Sequence, residues 1–291
     1  RHAGEPSLWT SALLDSPVCQ HYLRVGHGGY WRRRPGGPAR AEPCDNGPML
    51  ITGFPAGMFQ TNCYLLAPQP GGQAVIIDPG QDAAPQVRAL LAEHDLTPAA
   101  VLLTHGHLDH TWNATELCDE FAIPAYIHTA DRPMLTDPGM GLGRALGQLI
   151  GDTVFTEPRR VIEFVDGETV EIAGLRFTVD LAPGHTRGSV LLGIDVEVPV
   201  DGAGDAADPA VTTVPVCFSG DVLFAGSIGR TDLPGGDHDQ LLESIEKKLL
   251  PLPDETQVLP GHGPQTSIGA ERATNPFLLG IGTEKKGRFG L

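Results

Sequence analysis

The sequence contains no CxxC pair, and its five cysteines (Cys19, Cys44, Cys63, Cys118, Cys217) are odd in number and widely scattered. That excludes a disulfide framework and a thiolate zinc site, and leaves buried or free thiols as the expectation. Lysine is scarce as well: the four in the chain all lie after residue 246, and the formal net charge is -16. Nucleic-acid binding relies on clustered lysine and arginine that neutralise phosphates, so no nucleic-acid partner is expected. No apolar run approaches the eighteen or so residues that span a bilayer, and the amino terminus lacks the basic-then-apolar order of a secretory signal. The expectation is a cytoplasmic protein with no membrane partner. No internal repeat is found.

Across 291 residues there is room for one large domain with a substantial core or at most two modest ones, and the 37 Gly and 26 Pro mark many turns. Residues 1–48 differ from the rest. They hold six arginines against four acidic residues, net +2, which leaves 14 basic against 32 acidic residues, net -18, for the remainder. The segment shows no sustained period of 2 or 3.6 around its Gly, Pro and Trp31-Arg32-Arg33-Arg34 cluster, and reads as a flexible, disordered extension outside a domain over 49–291. From Met49 the pattern changes to short apolar runs broken by turn residues. Strands are predicted at 49–54, 62–66, 74–77, 100–103, 125–128, 160–164, 169–172, 175–181, 190–194, 214–218 and 257–259. Helices are predicted near Val87–Leu96, over 111–121 and over 240–250. Between Val196 and Thr213 an acidic, small-residue stretch around Asp201-Gly202-Ala203-Gly204-Asp205 reads as a solvated hairpin loop. Strands with interspersed helices place the chain in the α/β class.

The chemistry is concentrated at strand ends. Thr104-His105-Gly106-His107-Leu108-Asp109-His110 packs three imidazoles and a carboxylate behind an apolar strand. His105 and His107, two residues apart, point one way, and Asp109 and His110 can point at a second centre. Three later junctions, each closing an apolar run, add Pro183-Gly184-His185-Thr186, Ser219-Gly220-Asp221 and Pro260-Gly261-His262-Gly263. The set is five His and two Asp with no Cys, which suits zinc, iron or manganese.

In its ordered HxHxDH, lone His, lone Asp and final His, the chain resembles the metallo-β-lactamase superfamily over roughly residues 49–280. The resemblance implies a four-layer αβ/βα sandwich, two mixed β-sheets flanked by helices, with metals at one edge between the sheets. It implies that His105, His107 and His185 hold one metal, that Asp109, His110 and His262 hold a second, and that Asp221 bridges them. Two zinc ions per chain are expected, with iron or manganese as substitutes. Such a pair activates a water and polarises a carbonyl, so no Ser or Cys nucleophile is needed. Asp109 is then the catalytic residue that anchors the second metal and orients the water, with Asp78, Thr104 and Thr186 as partners that fix ligand rotamers. Asp78-Pro79-Gly80 reads equally as a plain turn.

Within the superfamily the chain is most similar to the short type II glyoxalase-like (hydroxyacylglutathione hydrolase-like) enzymes. The stretches that carry this likeness are Ser219-Gly220-Asp221-Val222-Leu223-Phe224, Gly229-Arg230-Thr231-Asp232, and Pro260-Gly261-His262-Gly263 followed by Glu271-Arg272-Ala273-Thr274-Asn275-Pro276-Phe277. That implies hydrolysis of a small-molecule thioester. Only 29 residues follow His262, so the helical domain that binds the thiol carrier in longer type II glyoxalases is not in this sequence, and glutathione as carrier does not follow. A rival branch, the mononuclear iron persulfide dioxygenases, resembles the chain in His105, His185, Asp221 and Gly229–Asp232. Arg230 is the candidate contact for an anionic substrate, or else a structural ion-pair residue. The reading of residues 1–48 leads to one expected outcome: a chain starting at Met49 folds and keeps full activity, checked by circular dichroism and turnover, and loss of either on truncation refutes it.

Overall fold

The computed structural model describes residues 49–142, 153–205, 208–279 and 281; the extension read over residues 1–48 lies outside them. The first sheet is formed by β1 (Leu50–Ala56), β2 (Thr61–Ala67), β3 (Gln73–Ile77), β4 (Thr97–Leu102), β5 (Ala125–His128) and β6 (Val161–Phe164), in that order. Its first three strands pair antiparallel, and β3 to β6 pair parallel. Crossovers carry α1 (Ala83–Glu93), α2 (Leu108–Thr111) and α3 (Ala114–Phe121). The second sheet contains β7 (Thr169–Ile172), β8 (Leu175–Leu181), β9 (Val190–Asp205), β10 (Asp208–Gly220), β13 (Gln257–Pro260) and β14 (Thr266–Ser267), in the order β14-β13-β10-β9-β8-β7. A two-stranded hairpin, β11 (Leu223–Phe224) with β12 (Ser227–Ile228), precedes α4 (His238–Ser244), and α5 (Ile268–Thr274) closes the described chain.

Period-2 alternation sorts the strand side chains into layers. On one face of the first sheet, Cys63, Leu65, Ile76, Val101 and Ile127 pack against Val87, Leu90 and Leu91 of α1 and Leu117 of α3. On the other face Tyr64, Leu66, Val75, Ile77 and Leu102 meet Phe177, Val179, Leu192, Val216 and Phe218 of the second sheet. The far side of that sheet, at Leu191, Cys217 and Val258, is covered by Leu241, Ile245 and Ile268. The result is the four-layer αβ/βα sandwich with mixed sheets.

Three elements depart from the reading of the sequence. The helix over 111–121 begins earlier, at Leu108, and is interrupted at Trp112-Asn113, because the Asn113 side-chain oxygen accepts from the Ala84 backbone amide at the start of α1 (3.2 Å) while the Asn113 backbone N–H donates to Pro79 O (2.9 Å). The stretch around 201–205 is not a loop: β9 and β10 run on as a ribbon paired to Asp205↔Asp208. Val196↔Val214 and Val198↔Thr212 set its register, and the buried valines at 196, 198, 214 and 216 extend the inter-sheet core outward. The helix over 240–250 is α4 followed by one π-helical turn, Ile245–Leu249.

Phe218 is fully buried between the sheets, with its ring edge-on to Tyr64 at 5.2 Å. Phe218→Ala is expected to cost about 3–5 kcal/mol, the transfer term plus an unfilled cavity, as read from the midpoint of urea unfolding. A loss below about 1 kcal/mol would contradict this packing.

Candidate metal centre

Each candidate ligand stands just past the carboxyl end of a strand. β4 ends at Leu102, and the chain passes through His105 and His107 into α2, whose first turn carries Asp109 and His110. β8 ends at Leu181 before His185, β10 at Gly220 beside Asp221, and β13 at Pro260 before His262. Backbone bonds join these ends: Gly261 N donates to Gly220 O (2.8 Å), Asn62 N to Gly261 O (2.7 Å) and Val190 N to Thr104 O (2.8 Å). Thr61 and His262 form an isolated bridge between the two sheets. At Gly261 a Cβ would stand 2.3 Å from Asp221 Oδ1 and 2.5 Å from His110 Cε1. Only glycine lets this turn lie so close to the side chains.

The fold brings all seven side chains together. Their ligand atoms form three overlapping groups, His105-His107-His185, His105-His110-Asp221 and Asp109-His110-His262, with the atoms of each group within 4.8 Å of one another. Asp221 lies between the outer groups, with Oδ1 3.3 Å from His110 Nε2 and Oδ2 3.6 Å from both His185 Nε2 and His262 Nε2. Asp109 Oδ2 is 3.1 Å from His262 Nε2 and 3.5 Å from His110 Nε2.

The outward ring nitrogens are held. His110 Nδ1 is 3.0 Å from Asp78 Oδ2, and His185 Nδ1 is 2.8 Å from Arg230 O. The Thr104 hydroxyl donates to Asp78 Oδ2 at 2.6 Å, so its oxygen is free to accept from His105 Nδ1 at 3.2 Å. Carboxylate and carbonyl oxygens only accept, so the proton sits on Nδ1 and the Nε2 lone pair faces inward. There, His105 Nε2, His107 Nε2, His110 Nε2, His185 Nε2 and Asp221 Oδ1 are buried with no hydrogen-bond partner. An unsatisfied buried polar atom costs about 1–3 kcal/mol, and five gathered within these overlapping groups fit bound cations. With only nitrogen and oxygen donors, the cluster suits a divalent metal.

Electrostatics point the same way. Burial, and then the neighbouring imidazoles, hold the His105 pKa well below its usual range, and burial followed by His185 lowers His107 to about 3. Both are neutral, the form that binds metal. Burial would also lower His110, but the charges of Asp221, Asp109 and Asp78 outweigh it and hold its pKa well above the ordinary value, and the same negative field favours a metal cation at Nε2 in place of a second proton. Burial would raise Asp221, yet His110, His185 and His105 hold it well below the carboxylate range. Negative potential is thus focused where the imidazole lone pairs meet. The three described thiols lie outside the cluster and are held protonated: burial pushes Cys118 and Cys217 up to about 12 and raises Cys63 well above its usual value.

Of the residues expected around the ligands, Asp78 and Thr104 touch ligand rings. Thr186 does not: its hydroxyl reaches Asp131 Oδ2 (2.6 Å) and Ser189 Oγ (2.7 Å), because the buried Asp131 carboxylate needs a donor. Arg230 is paired bidentately with Asp232, both contacts at 2.7 Å, on an exposed side chain, while its carbonyl holds His185. The sequence reading missed Asp131 and also Thr61, whose hydroxyl donates to Asp109 Oδ2 at 3.3 Å; neither belongs to a motif. The tail motif has a packing role. The buried Glu271 accepts from Gly226 N, Thr266 Oγ1 and Asn275 Nδ2, which fixes the β11–β12 hairpin leading to Arg230.

Comparison with known proteins agrees with this geometry. The chain is 50% identical over 234 residues to an uncharacterised protein of Mycobacterium tuberculosis, covering 80% of this chain and 99% of that one. It is 36% identical over 230 residues to the hydroxyacylglutathione hydrolase GloC of Haemophilus influenzae, covering 79% and 98%. Among solved structures, the BLEG-1 B3 metallo-beta-lactamase superposes with a TM-score of 0.64 at 40% identity, covering 79% of this chain and 99% of that one. TTHA1623 in a di-iron-bound form superposes at 0.59 with 37% identity, covering 76% and 97%. ETHE1 from Myxococcus xanthus superposes at 0.59 with 27% identity, covering 78% and 84%. The family description "Metallo-beta-lactamase superfamily" matches residues 56–198 and 213–262, and so takes in all four ligand-bearing turns and omits the tip of the β9–β10 ribbon. With the sandwich, the strand-end cluster and this match in agreement, the chain belongs to the metallo-beta-lactamase superfamily.

Proposed function

We propose that the chain is a cytoplasmic, zinc-dependent thioesterase that cleaves the acyl–sulfur bond of a small thioester of the hydroxyacyl-glutathione type. His105, His107 and His185 would hold one ion, Asp109, His110 and His262 the other, with Asp221 between them. The observation that carries the reading is the convergence of four unpartnered imidazole nitrogens and one carboxylate oxygen in a buried site with no thiol. The choice of thioester draws support from the Asp221–Phe224, Gly229–Asp232 and Glu271–Phe277 stretches and from the 36% identity with GloC.

When bound, a pair of divalent ions lowers the pKa of a water toward neutrality and polarises the substrate carbonyl. The residues supply the rest. Asp109, whose Oδ2 faces the cluster between His110 and His262, orients the attacking water. The water oxygen joins the acyl carbon, the carbon–sulfur bond breaks, and the proton that the water gives up passes to the departing sulfur. Asp78 and the Arg230 carbonyl keep His110 and His185 from rotating out of register. With Arg230 engaged by Asp232, Arg187, exposed and two residues past His185 in sequence, is the cation we assign to an anionic carrier.

A second reading, a persulfide dioxygenase with a single iron on His105, His185 and Asp221, uses ligands that also lie together: His185 Nε2 is 3.6 Å from Asp221 Oδ2, and the His105 and His185 rings are 4.8 Å apart. Elemental analysis of the purified chain, run beside assays for S-D-lactoylglutathione cleavage, persulfide-dependent oxygen uptake and β-lactam hydrolysis, separates these. Two zinc ions with thioester cleavage abolished by chelator is the expected result. One iron with oxygen uptake, or turnover of the lactam alone, would overturn it.

A further inference from the structure

Asp131 lies outside every ligand-bearing turn, after β5 and immediately before a 3-10 turn at Arg132–Leu135. It is fully buried and forms no ion pair among the described residues. Taking a carboxylate out of water is costly unless its lone pairs are met by well-placed donors. Three donors meet it, and they come from two different turns. Oδ2 accepts from the amide of Gly106 at 2.9 Å and from the hydroxyl of Thr186 at 2.6 Å, and Oδ1 accepts from the amide of Gly188 at 2.8 Å. Gly106 sits between His105 and His107, and Thr186 follows His185 directly. The contact is close: a Cβ on Gly188 would stand 2.6 Å from Asp131 Cγ.

The other half of the cluster is held differently. Asp78 accepts from the Thr104 amide (2.8 Å), the Thr104 hydroxyl (2.6 Å) and His110 Nδ1 (3.0 Å). His262 is held by its bridge to Thr61 and by Asp109. Asp131 touches neither His110, Asp109 nor His262. It spans only the gap between the turn of His105 and His107 and the turn of His185, whose rings stand 4.9, 4.8 and 4.6 Å apart pairwise.

We propose that Asp131 is the positioning residue of the His105-His107-His185 triad: it fixes the separation of the two turns at the distance one cation requires. Its loss therefore weakens metal binding at that triad and not at Asp109-His110-His262. The inference rests on the metal reading above. Asparagine tests it at constant volume. In either orientation its NH2 group opposes an amide N–H, that of Gly188 at the Oδ1 position or that of Gly106 at the Oδ2 position, so at least one turn is released.

The experiment uses the full chain, stripped of metal and titrated with Zn2+ against a chromophoric chelator. Zinc-soaked crystals, read by anomalous scattering, give the occupancy of each triad. Asp131→Asn is expected to lower affinity at the His105-His107-His185 triad by about 10–100-fold, the usual effect of removing a partner of metal ligands, with the other triad little changed. Asp78→Asn, which loosens His110 directly and His105 through the Thr104 hydroxyl, should by contrast weaken both triads. Thr186→Val, which removes one donor and leaves the carboxylate and both amides, should give a smaller loss at the same triad and guards against a poorly folded Asp131 variant. Wild-type affinity at both triads in Asp131→Asn, or equal weakening of both, overturns the role of Asp131 alone. A wild-type chain that takes up no zinc overturns the metal reading and this inference with it.

Discussion

Four imidazole nitrogens and a carboxylate oxygen, all shielded from water and turned toward one another, are tolerable in a folded protein only if something positive stands among them. The rest of the structure can be understood as the apparatus that maintains this arrangement. The Nδ1 atoms of His110, His185 and His105 are engaged outward by Asp78, Arg230 O and Thr104, so the rings cannot relieve the conflict by flipping. The aspartates keep the potential there negative, as the opposed shifts of His110 and Asp221 record.

The sandwich makes such a site possible because two sheets deliver strand ends to one edge from opposite sides. β4 comes from the first sheet, and β8, β10 and β13 from the second. Parallel pairing of β10 with β13 brings Gly220 opposite Pro260, which sets Asp221 and His262 side by side. Crossing bonds such as Asn62 N to Gly261 O and Val190 N to Thr104 O lock the two edges together. The inter-sheet core of Phe177, Phe218, Leu192 and Leu102 thereby supports the geometry of the metal centre as well as the stability of the fold.

Much of this was legible in the sequence, for identifiable reasons. The strands at 125–128, 169–172 and 175–181 have the boundaries read from their apolar alternation. The ligand turns announced themselves by histidine and aspartate following apolar runs. What escaped depended on contacts distant in sequence. The break in the helix over 111–121 comes from Asn113 serving the start of another helix. The 196–213 stretch reads as a loop by its Asp and Gly content, yet the valines on either side carry the pairing onward. Asp131 is a lone acid among polar neighbours, and its partners Thr186 and Gly188 lie more than fifty residues away. The role of Arg230 divides in a way composition cannot reveal, with its guanidinium on Asp232 and its carbonyl on His185.

The central claim is that a cation completes the folded state, and thermal unfolding of the full chain with and without metal tests it most directly. A ligand that binds only the native protein stabilises it by about 2.7 kcal/mol per site at a hundredfold excess over its dissociation constant. The chelator-treated protein is expected to melt at a clearly lower temperature and to recover when zinc is restored. A melting temperature indifferent to both chelator and zinc would contradict it.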